Sequence, residues 1–92
     1  MTQISEEDLL FEKAALTAAF NLLIKIVVER DGIKEKYIAD ILGYNPQSFS
    51  RLKKGDKNSI SYLRLFLLAE RFDLQPKRVG KTWEFESFSS LL

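Results

Sequence analysis

The chain of 92 residues contains no cysteine and no histidine. Without cysteine it can form no disulfide, no thiolate metal site and no thiol nucleophile. Without histidine it lacks the commonest metal ligand and the commonest general base. The sequence also contains no nucleophile elbow, no phosphate-binding loop and no recognisable pair of catalytic carboxylates. We therefore expect a protein that is not an enzyme and that carries neither a cofactor nor a metal.

Long apolar runs are absent as well. Lys25 interrupts the most apolar stretch, so no segment reaches the length that a membrane span needs. The acidic residues at positions 6–8 have the wrong sign for a signal peptide. We therefore expect a cytoplasmic protein with no membrane partner.

The net charge of +1 hides an uneven distribution. Residues 34–81 carry eleven basic and five acidic side chains, whereas residues 1–33 carry three basic and six acidic ones. Such a concentration of positive charge is what a surface for a polyanion needs, although charge alone is also compatible with an ordinary solvated surface. The length, with 46% apolar and 29% charged residues, is typical of one globular domain, residues 1–92.

Apolar residues recur at helical spacing in four segments, which predicts helices over about residues 6–30, 34–42, 46–53 and 60–72. Ser5 and Asn45 are suited to begin helices, and Gly32 and Gly43 are suited to end them. The C-terminal residues 82–92 are ambiguous. Their aromatic residues alternate with polar ones as in a strand, yet several would also fit one face of a helix, and both alternatives stay open.

The most informative stretch is residues 35–54, EKYIADILGYNPQSFSRLKK. It reads as a short helix, a three-residue break and a second short helix. The small Ala39 lets the two helices approach closely, and Gly43 can adopt a positive φ angle in the break. Phe49 is placed to pack back onto the first helix. This pattern predicts two helices held at a steep angle, with the outer face of the second free to enter a groove.

The run IADILGYNPQSFSRLKKGDKN, followed by a leucine-rich helix ending in AERFDL, resembles the lambda-repressor-like (Xre/Cro-type) helix-turn-helix family. The resemblance covers about residues 20–74. It implies an all-α fold, a compact domain of four to five helices with a long N-terminal helix. The helix-turn-helix core would then comprise residues 16–74, with residues 75–92 as a C-terminal extension of uncertain structure.

The resemblance also implies a function. We expect sequence-specific binding of double-stranded DNA by a transcriptional regulator, repressor-like and acting as a homodimer, in the nucleoid of a bacterium or in a phage. Pro46 stands where the family often has a base-reading glutamine, so base reading should shift to Gln47, Ser48 and Arg51. Polar residues of the turn, helix and basic loop should contact the DNA backbone, namely Tyr44, Asn45, Ser50, Lys53, Lys54, Lys57 and Asn58. Glu35 is not expected to contact phosphate.

These residues also have ordinary structural interpretations. Arg51 could be a solvated surface arginine, Gln47 could serve only the helix start, and the lysines could belong to a solvated loop. A different function is open too, because a fold does not dictate what it binds. The chain could be a protein-interaction module, such as the antitoxin of a toxin–antitoxin pair, that grips a protein partner with its first helix and residues 76–92.

Overall fold

The computed structural model describes residues 3–55 and 60–88, and within them four helices precede a two-stranded antiparallel sheet. The elements are α1 (Glu6–Asp31), α2 (Glu35–Leu42), α3 (Pro46–Lys54), α4 (Tyr62–Arg71), β1 (Leu74–Val79) and β2 (Thr82–Ser87). The four predicted helices are confirmed, each within two residues of its expected bounds. The chain is thus a compact, mainly helical domain with a long N-terminal helix.

The helices begin and end at residues with the expected capping chemistry. The backbone N–H of Asp8 donates to Ser5 Oγ at 3.1 Å at the start of α1. The same arrangement starts α4, where the N–H of Arg64 donates to Ser61 Oγ at 3.2 Å. Each serine satisfies a backbone donor that the first helical turn would otherwise leave without a partner. Gly32 ends α1 with a φ of 66°, a backbone conformation that residues with a Cβ rarely adopt.

The hydrophobic core forms around one face of α1. Six residues of this face are buried: Leu16, Ala19, Phe20, Leu23, Ile24 and Val27. The other helices each bring buried side chains to the same cluster, including Ile38 of α2, Leu52 of α3 and Leu65 of α4. Because α1 contributes so much of the core, it is the element against which the shorter helices are held in place.

The expectation of an all-α fold is wrong at the C-terminus, where β1 and β2 form a hairpin. Leu74 lies opposite Ser87, and the two strands are joined through a turn at Gly80, whose φ is 60°. A positive φ at this position fits a two-residue hairpin turn. Pro76 lacks the N–H that a continuing helix needs. Of the two alternatives for residues 82–92, the strand is therefore correct over 82–87, while 89–92 lie outside the described residues.

The hairpin packs against α1 and α4. The Trp83 ring centroid lies 5.8 Å from those of Tyr62 and Phe66. Arg78 Nη1 donates to Glu12 Oε2 at 2.9 Å, and the Tyr62 hydroxyl donates to the same oxygen at 3.0 Å. The hydrogen bond from Arg78, and after it the one from Tyr62, lower the pKa of the Glu12 carboxyl. Burial and the Glu12 carboxylate raise the pKa of Tyr62.

Candidate nucleic-acid interface

The break between α2 and α3 is a three-residue turn, as the sequence predicts. Gly43 has a φ of 77°, and its N–H donates to the carbonyl of Asp40 at 3.1 Å. The N–H of Tyr44 donates to the carbonyl of Ala39 at 3.0 Å. These bonds satisfy carbonyls at the end of α2 while the chain reverses. Ala39 is 5% exposed, which fits the expected role of a small residue between closely packed helices.

The start of α3 is fixed by Asn45 and Pro46. Asn45 Oδ1 accepts a hydrogen bond from the N–H of Ser48 at 2.8 Å. Pro46 occupies the first turn, where the missing N–H costs no helical hydrogen bond. The carbonyl oxygen of Asn45 accepts from the N–H of Phe49 at 2.9 Å. The side-chain oxygen of Asn45, a residue predicted to contact the DNA backbone, therefore already caps the start of α3.

The inner side of α3 anchors it to the core. Phe49 and Leu52 are buried, with 6% and 1% of their surfaces exposed. The Phe49 ring meets Phe20 of α1 edge to face, with the ring centroids 5.9 Å apart. Asn21 Nδ2 also donates to the carbonyl of Lys53 at 2.8 Å. These contacts determine which side of α3 is left facing outward.

The outer side of α3 is polar and basic. Gln47, Ser50, Arg51 and Lys54 are all exposed, whereas Ser48 is half-buried. Spacings of three and four residues place the exposed four on one side of the helix. α3 itself contains no acidic residue. The structure thus places four of the ten predicted DNA-contacting residues on the exposed side of one short helix, with two positive charges among them.

Lys53 has a different environment from Lys54. Its ammonium group forms an ion pair with Glu35 of α2 and lies 5.8 Å from the centroid of the Phe49 ring. Its side chain is therefore held within the chain, and a phosphate would have to compete with Glu35 for it. The pair is partly solvent-exposed, so its strength is modest and falls with added salt.

Tyr44 is half-buried, and its partner is Arg64 of α4. Arg64 Nη1 donates to the Tyr44 hydroxyl, and the guanidinium carbon lies 5.2 Å from the ring centroid. Arg64 is not among the site residues that the sequence predicts. The only available signal was its place in the basic middle of the chain, since the contact with Tyr44 joins residues twenty positions apart. The structure adds this arginine as a cation beside the turn that precedes α3.

Lys57 and Asn58, the two remaining predicted contacts, lie outside the described residues. Within residues 3–55 and 60–88, no group of three or more acidic side chains is placed to hold a metal ion. No helix in the same two ranges combines the length and the hydropathy of a membrane span. No protein-family model, curated protein or solved structure matches the chain. The candidate interface is therefore argued from its own geometry.

Proposed function

We propose that the protein binds double-stranded DNA sequence-specifically, as a lambda-repressor-like helix-turn-helix regulator of the repressor type. The observation that carries the proposal is the outward polar and basic side of α3. A short helix whose exposed side chains are hydrogen-bonding and positively charged suits insertion into the major groove. The short turn before α3 and the buried anchors behind it support the same proposal, because docking requires a rigidly held helix.

Base reading is assigned to the exposed side chains near the start and middle of α3. Arg51 can donate two hydrogen bonds to O6 and N7 of a guanine, and Gln47 can pair with N6 and N7 of an adenine. Ser48 has a short side chain and is half-buried, so its hydroxyl extends least far towards a base of the three side chains. Its backbone N–H is bonded to Asn45 Oδ1. Discrimination between sequences should therefore depend mainly on Arg51 and Gln47.

Phosphate contacts are assigned to groups at the edges of this surface. Lys54 is exposed and has no ion-pair partner among the described residues. Arg64 and Tyr44 would act together, with the arginine supplying the charge. Lys53 would contribute when its pair with Glu35 opens, and Lys57 remains a prediction from the sequence. Such contacts fix orientation and raise affinity without selecting a sequence.

The test is a binding titration by fluorescence anisotropy, using duplexes selected from a random pool. We expect affinity to fall steeply with added salt, because phosphate contacts release counterions. Arg51→Ala should cost about 1–3 kcal/mol on the preferred site and relax the preference at one base pair. Lys54→Ala should weaken all sequences alike and reduce the salt slope by about 1.

Lys77→Ala is the matched control, since it removes an exposed lysine of β1 whose one ion-pair partner among the described residues is Glu86. It should leave DNA affinity within about twofold, because it alters a pair on the hairpin rather than on α3. The proposal is rejected if the protein binds no duplex at low salt, or if Arg51→Ala and Lys54→Ala behave like this control.

A second candidate function is the protein-interaction module. It is favoured by a groove of about 480 Å³ between α2 and α4, whose lining combines the apolar Ile41, Leu42, Leu67 and Leu68 with the charged Arg64, Glu70 and Arg71. Leu67 is 66% exposed, and Leu63, one turn before it on α4, is 74% exposed. Leu67→Ser, which removes the leucine without placing a charge beside Arg64, should leave DNA binding unchanged under the first proposal. Loss of a stable co-purifying protein in that variant, with no duplex binding by the wild type, would favour the second.

A further inference from the structure

α1 carries a second apolar face, on the side opposite its buried one. At 100° per residue, the exposed positions centre about 180° from the buried set. Leu10, Phe11 and Leu22 are 65%, 51% and 36% exposed, and Lys81 Nζ lies 4.9 Å from the centroid of the Phe11 ring at the edge of this face. Ala14 and Ala18 lie exposed between them. We call this face, with the exposed charges at its two ends, the outer stripe: Glu7, Leu10, Phe11, Ala14, Ala18, Leu22 and Lys25.

The outer stripe is complementary to a second copy of itself in antiparallel orientation. A two-fold axis at the level of position 16 sets Leu10 opposite Leu22 of the copy and Ala14 opposite Ala18. The same axis sets the acidic Glu7 opposite the basic Lys25. Small residues thus lie in the middle, where they allow two helices to approach closely, and larger apolar residues lie on either side. An ion pair between Glu7 of one copy and Lys25 of the other would form at each end of the contact.

We propose that the protein forms a dimer through this antiparallel contact of two α1 helices. Among the described residues, neither Glu7 nor Lys25 has an ion-pair partner within the chain. In the dimer, each would face the opposite charge of the other copy. A parallel arrangement would instead set like charges against each other, so the charges select the antiparallel one.

The size of the stripe fits this role. From the exposed fractions, its apolar side chains offer roughly 400 Å² per copy, within the range of patches that mark interaction sites. A symmetric contact would therefore bury about 800 Å² of apolar surface in total, less than the roughly 1,000 Å² of stable specific interfaces, so the dimer should be weak and exchange readily with the monomer. Burial against a second copy removes from water a leucine-containing surface that a single copy leaves exposed.

The contact would also fix the two α3 helices relative to each other. Thr17 is one residue away from the level of the axis. Its side chain lies 3.5 Å from the position that a Cβ on Gly55, the residue that ends α3, would occupy. Asn21 of the same helix is bonded to the carbonyl of Lys53. Each α3 is therefore fastened to α1 close to the axis. The use of this geometry to space two DNA half-sites rests on the proposed function, whereas the dimer itself does not.

Charge exchange between the copies tests the contact directly. Glu7→Lys and Lys25→Glu each place like charges opposite one another at both ends of the homodimer. Each variant alone should dimerise about tenfold more weakly at low ionic strength, where surface charges are least screened. An equimolar mixture should recover the dimer, because the two variants form a heterodimer with both ends attractive. The mass by light scattering should then be twice the monomer mass of 10.6 kDa.

Two further variants complete the experiment. Glu84→Lys, a charge reversal at an exposed position of β2, is the control and should dimerise like the wild type. Ala18→Glu places a carboxylate in the middle of the stripe and should abolish the dimer while circular dichroism retains the helical signal, since glutamate favours helices. A monomeric wild type at high micromolar concentration overturns the proposal, as does a dimer that Glu7→Lys, Lys25→Glu and Ala18→Glu all leave intact. Because no DNA is present, either result is independent of the duplex titration.

Discussion

Leu52 offers the sharpest test of how α3 is held, because the structure also contains a matched leucine in the opposite environment. Leu52 lies on the inner side of α3 and is 1% exposed, whereas Leu63 of α4 is 74% exposed. Truncation of a buried leucine to alanine typically costs about 3–5 kcal/mol, since it removes apolar contacts and leaves a cavity. The same truncation at an exposed helical position should cost about 0.5 kcal/mol or less.

The difference is large relative to the whole domain. A domain of this length has a free energy of unfolding of about 5–14 kcal/mol. Leu52→Ala should therefore remove a large part of it and lower Tm by about 15–25 °C, whereas Leu63→Ala should lower Tm by a few degrees at most. Urea titration followed by circular dichroism, with samples below the dimerisation range, gives both free energies. Equal losses in the two variants would refute the inward orientation of Leu52, and with it the outward orientation of Arg51.

Two further predictions concern interactions at the edges of the fold. Asn45→Ala should lower the free energy of unfolding in urea by about 1 kcal/mol, because it removes the hydrogen bond from the N–H of Ser48. Asn45→Ser keeps an acceptor and should lower it less. Equal losses in the two variants would contradict this capping role. The pKa of Glu12 is lowered in the folded state from its ordinary value of 4.5, so its bonds with Arg78 and Tyr62 stabilise the protein above that pH, and this contribution is lost as pH falls through the lowered value. The stability advantage of the wild type over Glu12→Gln should therefore be constant near neutral pH and shrink as the pH falls below about 4.5, and an advantage independent of pH would contradict the assignment.

The sequence predicted the parts of the fold that depend on local chemistry. Ser5, Asn45 and the glycines act on neighbours within four residues, so their roles follow from their order in the chain. The hairpin was not predicted, because its alternating aromatic residues fit either a strand or a helix until a partner strand is known. Trp83 packs against Tyr62 and Phe66, which are far from it in sequence. Periodicity alone contains no information about that packing.

The candidate site also combines features that the sequence predicts with contacts that only the fold shows. The outward set on α3 follows once Phe49 and Leu52 point inward, because helical geometry leaves the other side to solvent. The pairs of Lys53 with Glu35 and of Arg64 with Tyr44 are tertiary contacts, and no spacing in the sequence indicates them. They change the expected contributions, since one lysine of the predicted phosphate set is paired with a carboxylate, whereas the guanidinium of Arg64, outside that set, is bonded only to the neutral Tyr44 among the described residues and keeps its charge available.

The outer stripe of α1 depends on both kinds of information. The sequence analysis left open that the first helix grips a partner, and α1 contains more apolar residues than its buried face uses. Only the fold distinguishes Leu16 and Leu23, which enter the core, from Leu10 and Leu22, which remain outside it. Once those two are separated, the order of charges along the exposed face gives the orientation of the partner. Under the dimer proposal, the two apolar sides of α1 have separate roles, one in the core of its own chain and the other in the contact with a second copy.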